Sequence, residues 1–190
     1  MSLKGTMTEQ NLLKAFAGES QARNRYVYAA KVARKEGYHQ IAAIFEETAE
    51  NEVQHAKHFF RFLEGGMVEI TATYPAGVIG TTAENLKAAA EGEYEEWADL
   101  YPGFAKVADE EGFRDVAVKF RMIARAEKAH EERFKALLER VEGDTVWVRP
   151  EPVRWKCGVC GYIHEGKSPP DECPSCQHPK GYFAQVLKNY

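Results

Sequence analysis

Glu52-Val53-Gln54-His55 and, 75 positions on, Glu127-Lys128-Ala129-His130 are the stretches whose reading decides the fold. Each sets a carboxylate and an imidazole three residues apart. On a helix, residues i and i+3 share a face, so both side chains point the same way. The surrounding pattern is helical. Ile41, Ile44, Phe45, Phe59, Phe62 and Leu63 mark one apolar stripe, and Val116, Phe120, Ile123, Phe134, Leu137 and Leu138 mark another. Each polar pair therefore lies within a stripe that faces a core.

Two more helices complete the set. Thr6 followed by Glu9 reads as a capping box that opens the first, with Leu12, Leu13, Phe16, Tyr26, Ala30 and Ala33 on its inner face and Gly37 as its end. The second is expected to run to Gly65-Gly66. Residues 65–81, with Pro75, Gly77 and Gly80, do not support a helix and read as a long crossover. Thr81 and Glu84 form another capping box and open the third helix. Pro102 is expected to kink or interrupt it, and Gly112 to end it. The fourth runs from about Arg114 to Val141.

The two halves read as copies. A shift of 75 carries Tyr26 to Tyr101, Gly37 to Gly112, Glu52 to Glu127 and His55 to His130. A shift of 74 carries Gly18-Glu19 onto Gly92-Glu93. One residue is thus added between Glu93 and Tyr101. A helix that keeps register on both sides of an extra residue absorbs it as a π-bulge, so one is expected at or near Glu96. The repeat also supplies glutamates on helices one and three. Glu19, Glu52, His55, Glu93, Glu127 and His130 make the ligand set of a di-iron carboxylate site in a four-helix bundle. Taken singly, each glutamate would be an ordinary solvated helix residue. Four together in a core would be costly to ionise without metal. Glu96 shares the face of Glu93 and is expected to be an extra ligand that the first half lacks, a surface acid in the run Glu93 to Glu96 being the alternative. Tyr26 and Tyr101 face the same core and are expected to hydrogen-bond ligating carboxylates, ordinary core tyrosines being the alternative.

From Glu142 the composition shifts to an extended linker with Pro150 and Pro152. The expected division is a bundle over 1–141, a linker over 142–153 and a small module over 154–190. All four cysteines lie in that module as Cys157-x-x-Cys160 and Cys173-x-x-Cys176, separated by 12 residues. Two such knuckles give a tetrahedral Cys₄ site for zinc or a single iron, and spacing alone does not choose. The module is too short to fold on an apolar core alone, so a metal staple is expected.

The 190 residues are 44% hydrophobic and 28% charged, which fits a globular protein. A net charge of −4 without a basic block argues against nucleic acid as a partner. No apolar run approaches membrane-spanning length, and Met1 to Lys14 lacks a signal-peptide core, so a cytoplasmic location is expected.

With both Glu-x-x-His pairs and both cysteine knuckles in place, the chain resembles a rubrerythrin over its whole length. The resemblance implies an all-α, ferritin-like four-helix bundle with a long crossover, plus a small C-terminal rubredoxin-like Cys₄ metal domain. It implies a peroxidase that reduces hydrogen peroxide to water, in defence against oxidative stress. Its electrons would come from NAD(P)H through a separate reductase or rubredoxin. The cofactors implied are two iron ions in the bundle and one at Cys157, Cys160, Cys173 and Cys176, where zinc is the alternative. Glu52 and Glu127 would bridge the irons. Glu19 would bind one, Glu93 and His130 the other, and Glu96 would exchange with His55 on reduction. A homodimer, helix-swapped or head-to-tail, or a higher oligomer is expected. The competing readings are a ferritin-like ferroxidase or iron store, and a non-enzymatic zinc-ribbon binding protein.

Overall fold

In the computed structural model, which describes residues 2–187, the bundle is built from α1 (Met7–Lys35), α2 (His39–Phe60), α3 (Thr82–Glu95), α4 (Tyr101–Glu110) and α5 (Arg114–Glu142). A π-helical turn, Glu96–Leu100, joins α3 to α4, so these form one long third helix. The Tyr101 N–H donates to the Glu96 carbonyl, a bond of i→i+5 type. This is the bulge that the added residue requires. Pro102 follows it in the first turn of α4, where a missing N–H is tolerated. It starts a helix here and does not break one.

The duplication is visible in the backbone. Gly37 takes φ +89°, and the Tyr38 N–H reaches back to the Ala33 carbonyl at 2.8 Å. Gly112 takes φ +85°, and the Phe113 N–H reaches the Ala108 carbonyl at 2.7 Å. Both are Schellman closures, which need a left-handed residue and so favour glycine. Each turns the chain directly into the next helix. The halves then pack crosswise. Phe45 meets Phe134 at 5.1 Å between ring centroids, and Phe59 meets Phe120 at 4.9 Å. One apolar cluster holds Tyr26, Phe45, Leu86 and Phe134; a second holds Leu12, Phe59, Tyr101 and Phe120. The four acidic positions lie between them.

Two local expectations are corrected. Helix α2 ends at Phe60, and Arg61 caps it, so Phe62 and Leu63 are packed from a turn. Thr6 accepts the Glu9 N–H, but the Glu9 carboxylate takes the Gly5 N–H, so the first box closes one residue early. The box at Thr81 and Glu84 is complete. Residues 61–81 contain no helix, which leaves the crossover lying over α1.

After α5 the chain reaches a three-stranded antiparallel sheet of order β2-β1-β3, formed by β1 (Val153–Cys157), β2 (Ile163–Gly166) and β3 (Phe183–Gln185). Trp155, Cys157, Cys173 and Phe183 are its buried centre. The module rests on the start of α2. Tyr182 stacks on His39 with centroids 3.6 Å apart, and Trp147 stacks on Tyr38 at 5.4 Å.

Candidate metal centres

Two groups of donor atoms converge inside the bundle. Glu19, Glu52, His55 and Glu127 form one; Glu52, Glu93, Glu127 and His130 form the other. Within each group, the ligand atoms all lie within 4.8 Å of one another. Glu52 and Glu127 belong to both, so they stand between the groups. The six residues come from α1, α2, α3 and α5, as the repeat requires. Glu19, Glu52, Glu93 and Glu127 are fully or almost fully buried.

The contacts inside the set are close. His55 Nδ1 is 2.9 Å from Glu52 and 2.8 Å from Glu127. His130 Nδ1 is 2.9 Å from Glu127 and 3.3 Å from Glu52. Yet Glu19 Oε2, Glu52 Oε1, Glu93 Oε2, both Glu127 oxygens and His130 Nδ1 make no well-aligned hydrogen bond among the described residues. Atoms that crowd together without hydrogen-bond angles are aimed at common points between them. Two tyrosines fix what remains. The Tyr26 hydroxyl donates to Glu93 at 2.6 Å, and the Tyr101 hydroxyl donates to Glu19 at 2.5 Å. These are repeat-related bonds.

Electrostatics makes the same point. Burial, then the charges of Glu127 and Glu52, push the Glu19 carboxyl well above the carboxylate range. Burial raises Glu93 to about 8, against the pull of His130. Burial opposes charge on both imidazoles, but their carboxylate neighbours hold His55 at about 9 and His130 at about 12. Burial likewise opposes charge on Glu52, but His130 and His55 hold it down at about 2. The site thus draws in positive charge as protons. Two divalent ions would supply that charge on a donor set of carboxylates and imidazoles, which suits iron.

Glu96 belongs to neither group. It is half-buried at the π-turn, and burial followed by Glu93, Glu127 and Glu52 raises its carboxyl well above the usual range. In this arrangement His55 occupies the first group and Glu96 stands beside it.

Sequence reading missed Glu131. It is buried next to His130, and one carboxylate oxygen accepts the Trp97 indole N–H at 2.8 Å. Lys135 pairs with the other oxygen. The signals were a charged residue beside a ligand candidate and a tryptophan inside the inserted turn.

In the module, the four cysteine sulfurs meet the same convergence limit. Cys157 and Cys176 are 3.7 Å apart, and Cys160 and Cys173 are 3.6 Å apart. The Tyr162 N–H, helped by Cys176, draws the Cys160 thiol down to about 6. Amide donors to sulfur favour thiolates and tune a bound iron. His39 and His178 both meet Tyr182.

The rubrerythrin family model matches residues 10–138, and the rubredoxin-like domain of rubrerythrin matches residues 155–184. The chain belongs to the rubrerythrin family. Rubrerythrin from Porphyromonas gingivalis is 59% identical over 100% of this chain and 94% of its own length. Rubrerythrin from Nitratidesulfovibrio vulgaris is 50% identical over 100% of this chain and 99% of its own. A structure of nigerythrin in a partially reduced state aligns with TM-score 0.65 at 33% identity, covering 98% of this chain and 89% of that one. The fold is a ferritin-like bundle with a small four-cysteine domain. The family brings a di-iron carboxylate site and a rubredoxin-like four-cysteine site, and both donor clusters are present in this chain.

Proposed function

We propose that this protein is a non-haem di-iron peroxidase that reduces hydrogen peroxide to water in the cytoplasm, as a defence against oxidative stress. Membership of a family of oxidoreductases supports an enzyme role. The observation that carries the finer reading is the pairing, in one chain, of a buried Glu/His set with a convergent four-cysteine site. An iron store needs no such port, and a zinc-ribbon scaffold needs no buried carboxylate set.

Glu19, Glu52, His55 and Glu127 would hold one iron, and Glu52, Glu93, Glu127 and His130 the other, with Glu96 able to replace His55. Cys157, Cys160, Cys173 and Cys176 would hold a single iron. When bound, the iron pair stores the two electrons and supplies the Lewis acidity that O–O cleavage needs. Tyr26 and Tyr101 lock one oxygen each of Glu93 and Glu19. The Phe45–Phe134 and Phe59–Phe120 pairs wall the set with apolar surface at either end. Glu96, whose carboxyl is pushed upward by burial and by the charges of Glu93 and Glu127, stands at the wall of the site, where it can pass protons from solvent; reduction of peroxide to two waters consumes two. Electrons would enter at the cysteines from NAD(P)H through a reductase or a separate rubredoxin. A head-to-tail or helix-swapped homodimer would bring one chain's port to another chain's bundle.

The test is anaerobic reduction of the iron-loaded protein, then stoichiometric peroxide, with both chromophores followed optically. Peroxide should reoxidise the protein much faster than oxygen does. Equal or reversed rates would identify an oxidase or ferroxidase.

A further inference from the structure

Gly18 and Gly92 each precede a buried glutamate and lie within helices at repeat-related positions. Neither has a positive φ, and a β-carbon would fit at both. The nearest atoms would be the Tyr74 ring, 3.5 Å from position 18, and the Arg25 guanidinium, 3.7 Å from position 92. No turn or tight approach demands glycine here, and glycine weakens a helix interior relative to alanine. What the absent side chains leave is space.

That space is part of a cavity of about 460 Å³. Its inner end is Glu96 and Tyr101; Leu100 and Phe104 line one side, and crossover residues 71–75 form its outer wall. The wall is pinned where the Tyr74 hydroxyl donates to the Lys14 carbonyl at 2.5 Å. Glu96 Oε1 lies 3.9 Å from the β-carbon position of Gly18, and the Tyr101 hydroxyl is bonded to Glu19. The cavity therefore ends on Tyr101, which is bonded to the metal-binding set, and on Glu96 at the π-turn. Hydrogen peroxide has two heavy atoms. The volume instead falls in the range of organic-ligand pockets, about 300–1,000 Å³, and the Tyr74, Leu100 and Phe104 side chains give it an apolar side, facing a lining that also includes Lys14, Arg25 and Glu95.

We propose that this cavity is the substrate pocket of the di-iron site and that it accepts alkyl and aryl hydroperoxides, R–OOH, besides hydrogen peroxide. The proposal rests on the peroxidase reading. The –OOH end meets Glu96 and Tyr101, and the R group lies against Leu100, Phe104 and the Tyr74 ring. The O–O bond breaks with two electrons from the reduced protein and two protons from solvent. The products are one alcohol, R–OH, and one water.

The test uses full-length, iron-loaded protein. After anaerobic reduction it is mixed with cumene hydroperoxide or hydrogen peroxide in stopped flow. Separately, binding of the redox-inert alcohol 2-phenyl-2-propanol to oxidised protein is followed by ligand-observed NMR. The wild type should react with both peroxides and bind the alcohol. Gly18→Leu and Thr73→Trp should lower the ratio of the cumene hydroperoxide rate constant to that of hydrogen peroxide by about tenfold or more, the scale of steric exclusion from a pocket. Both should lose alcohol binding. Thr73 is exposed and outside any helix, so its variant keeps the test usable if Gly18→Leu fails to fold. A wild type that reacts rapidly with hydrogen peroxide but not with cumene hydroperoxide overturns the proposal. So does an unchanged ratio in folded variants, or no alcohol binding by the wild type. Hydrogen peroxide reacting no faster than oxygen sinks the underlying peroxidase reading, a distinguishable result.

Discussion

Tyr26 and Tyr101 hold the acidic centre from opposite halves of the repeat, each through one short bond to a buried glutamate. Replacing either by Phe leaves a carboxylate oxygen buried without a donor. The expected cost in metal-free protein is about 1–3 kcal/mol each, read from urea denaturation; an unchanged midpoint would show that the bonds contribute nothing. The protons gathered at the centre give a pH signature. His55 is raised from 6.5 to about 9, so the folded state keeps a proton that the unfolded chain loses. Its contribution is complete below pH 6.5 and is lost as pH rises through 9. Glu93, raised from 4.5 to about 8, acts with the same sign, stabilising below 4.5 and losing that stability up to 8. Glu52, lowered to about 2, acts oppositely, but only below 4.5. The melting temperature of metal-free protein should therefore fall between pH 6.5 and 9. Metal loading should flatten this slope, because the ions displace those protons. Calorimetry across that range decides, and a flat metal-free profile would count against the charge assignment. The six residues that the Glu-x-x-His spacing and the repeat single out do stand together. Glu131 did not announce itself, because its partner Trp97 is 34 positions away and no periodicity links them.

At the scale of the element, the π-turn is where the halves stop being equivalent. Its position follows from counting: two shifts differing by one residue require a bulge between Glu93 and Tyr101. What holds it in place is not countable from sequence. Glu131 on α5 accepts the Trp97 N–H from inside the turn, and Lys128 sits over the indole ring at 5.2 Å. A π-turn trades regular i→i+4 bonds for longer ones, so an outside clamp has something to offset. Glu131→Leu removes a hydrogen bond to a charged acceptor, worth about 1.5–3 kcal/mol. Amides of residues 97–101 should then exchange hydrogen faster, while α1 and α2 keep their protection. Equal protection in the variant would mean that the turn is fixed by the bundle alone. The shortened α2 and the altered box at Glu9 were illegible for a related reason. Phe62 and Leu63 keep helical spacing although they pack from a turn, and the Thr6 N–H that the box would use is already taken by the Leu3 carbonyl, leaving Glu9 to the Gly5 N–H.

For the whole molecule, the decisive fact is where the cysteine module sits. Tyr182 stacks on His39 in the first turn of α2, and a β-carbon at Gly181 would collide with the Gly37 carbonyl oxygen. Cysteine spacing revealed the module, but this docking depends on glycine and aromatic contacts about 140 positions apart, which no sequence pattern encodes. Glu52 lies 13 residues beyond His39, about 20 Å along the axis at roughly 1.5 Å per residue. Electron transfer weakens steeply with distance, so a port held at the end of its own helix is poorly placed to serve its own metal pair. The proposed head-to-tail pair of chains would bring the port of one chain to the bundle of the other. Complementation tests this directly. Cys157→Ser disables the port but should leave the bundle folded, since the two donor sets share no residue. His130→Ala disables the bundle site but leaves the port. Neither variant alone should sustain reductase-linked peroxide turnover. Unfolded and refolded together, the two should recover part of the wild-type rate, because a mixed dimer pairs one intact port with the other chain's intact bundle. Light scattering of the mixture should show the dimer mass. Full wild-type activity from a strict monomer, or no recovery in a mixture shown to contain mixed dimers, would place the whole electron path within one chain.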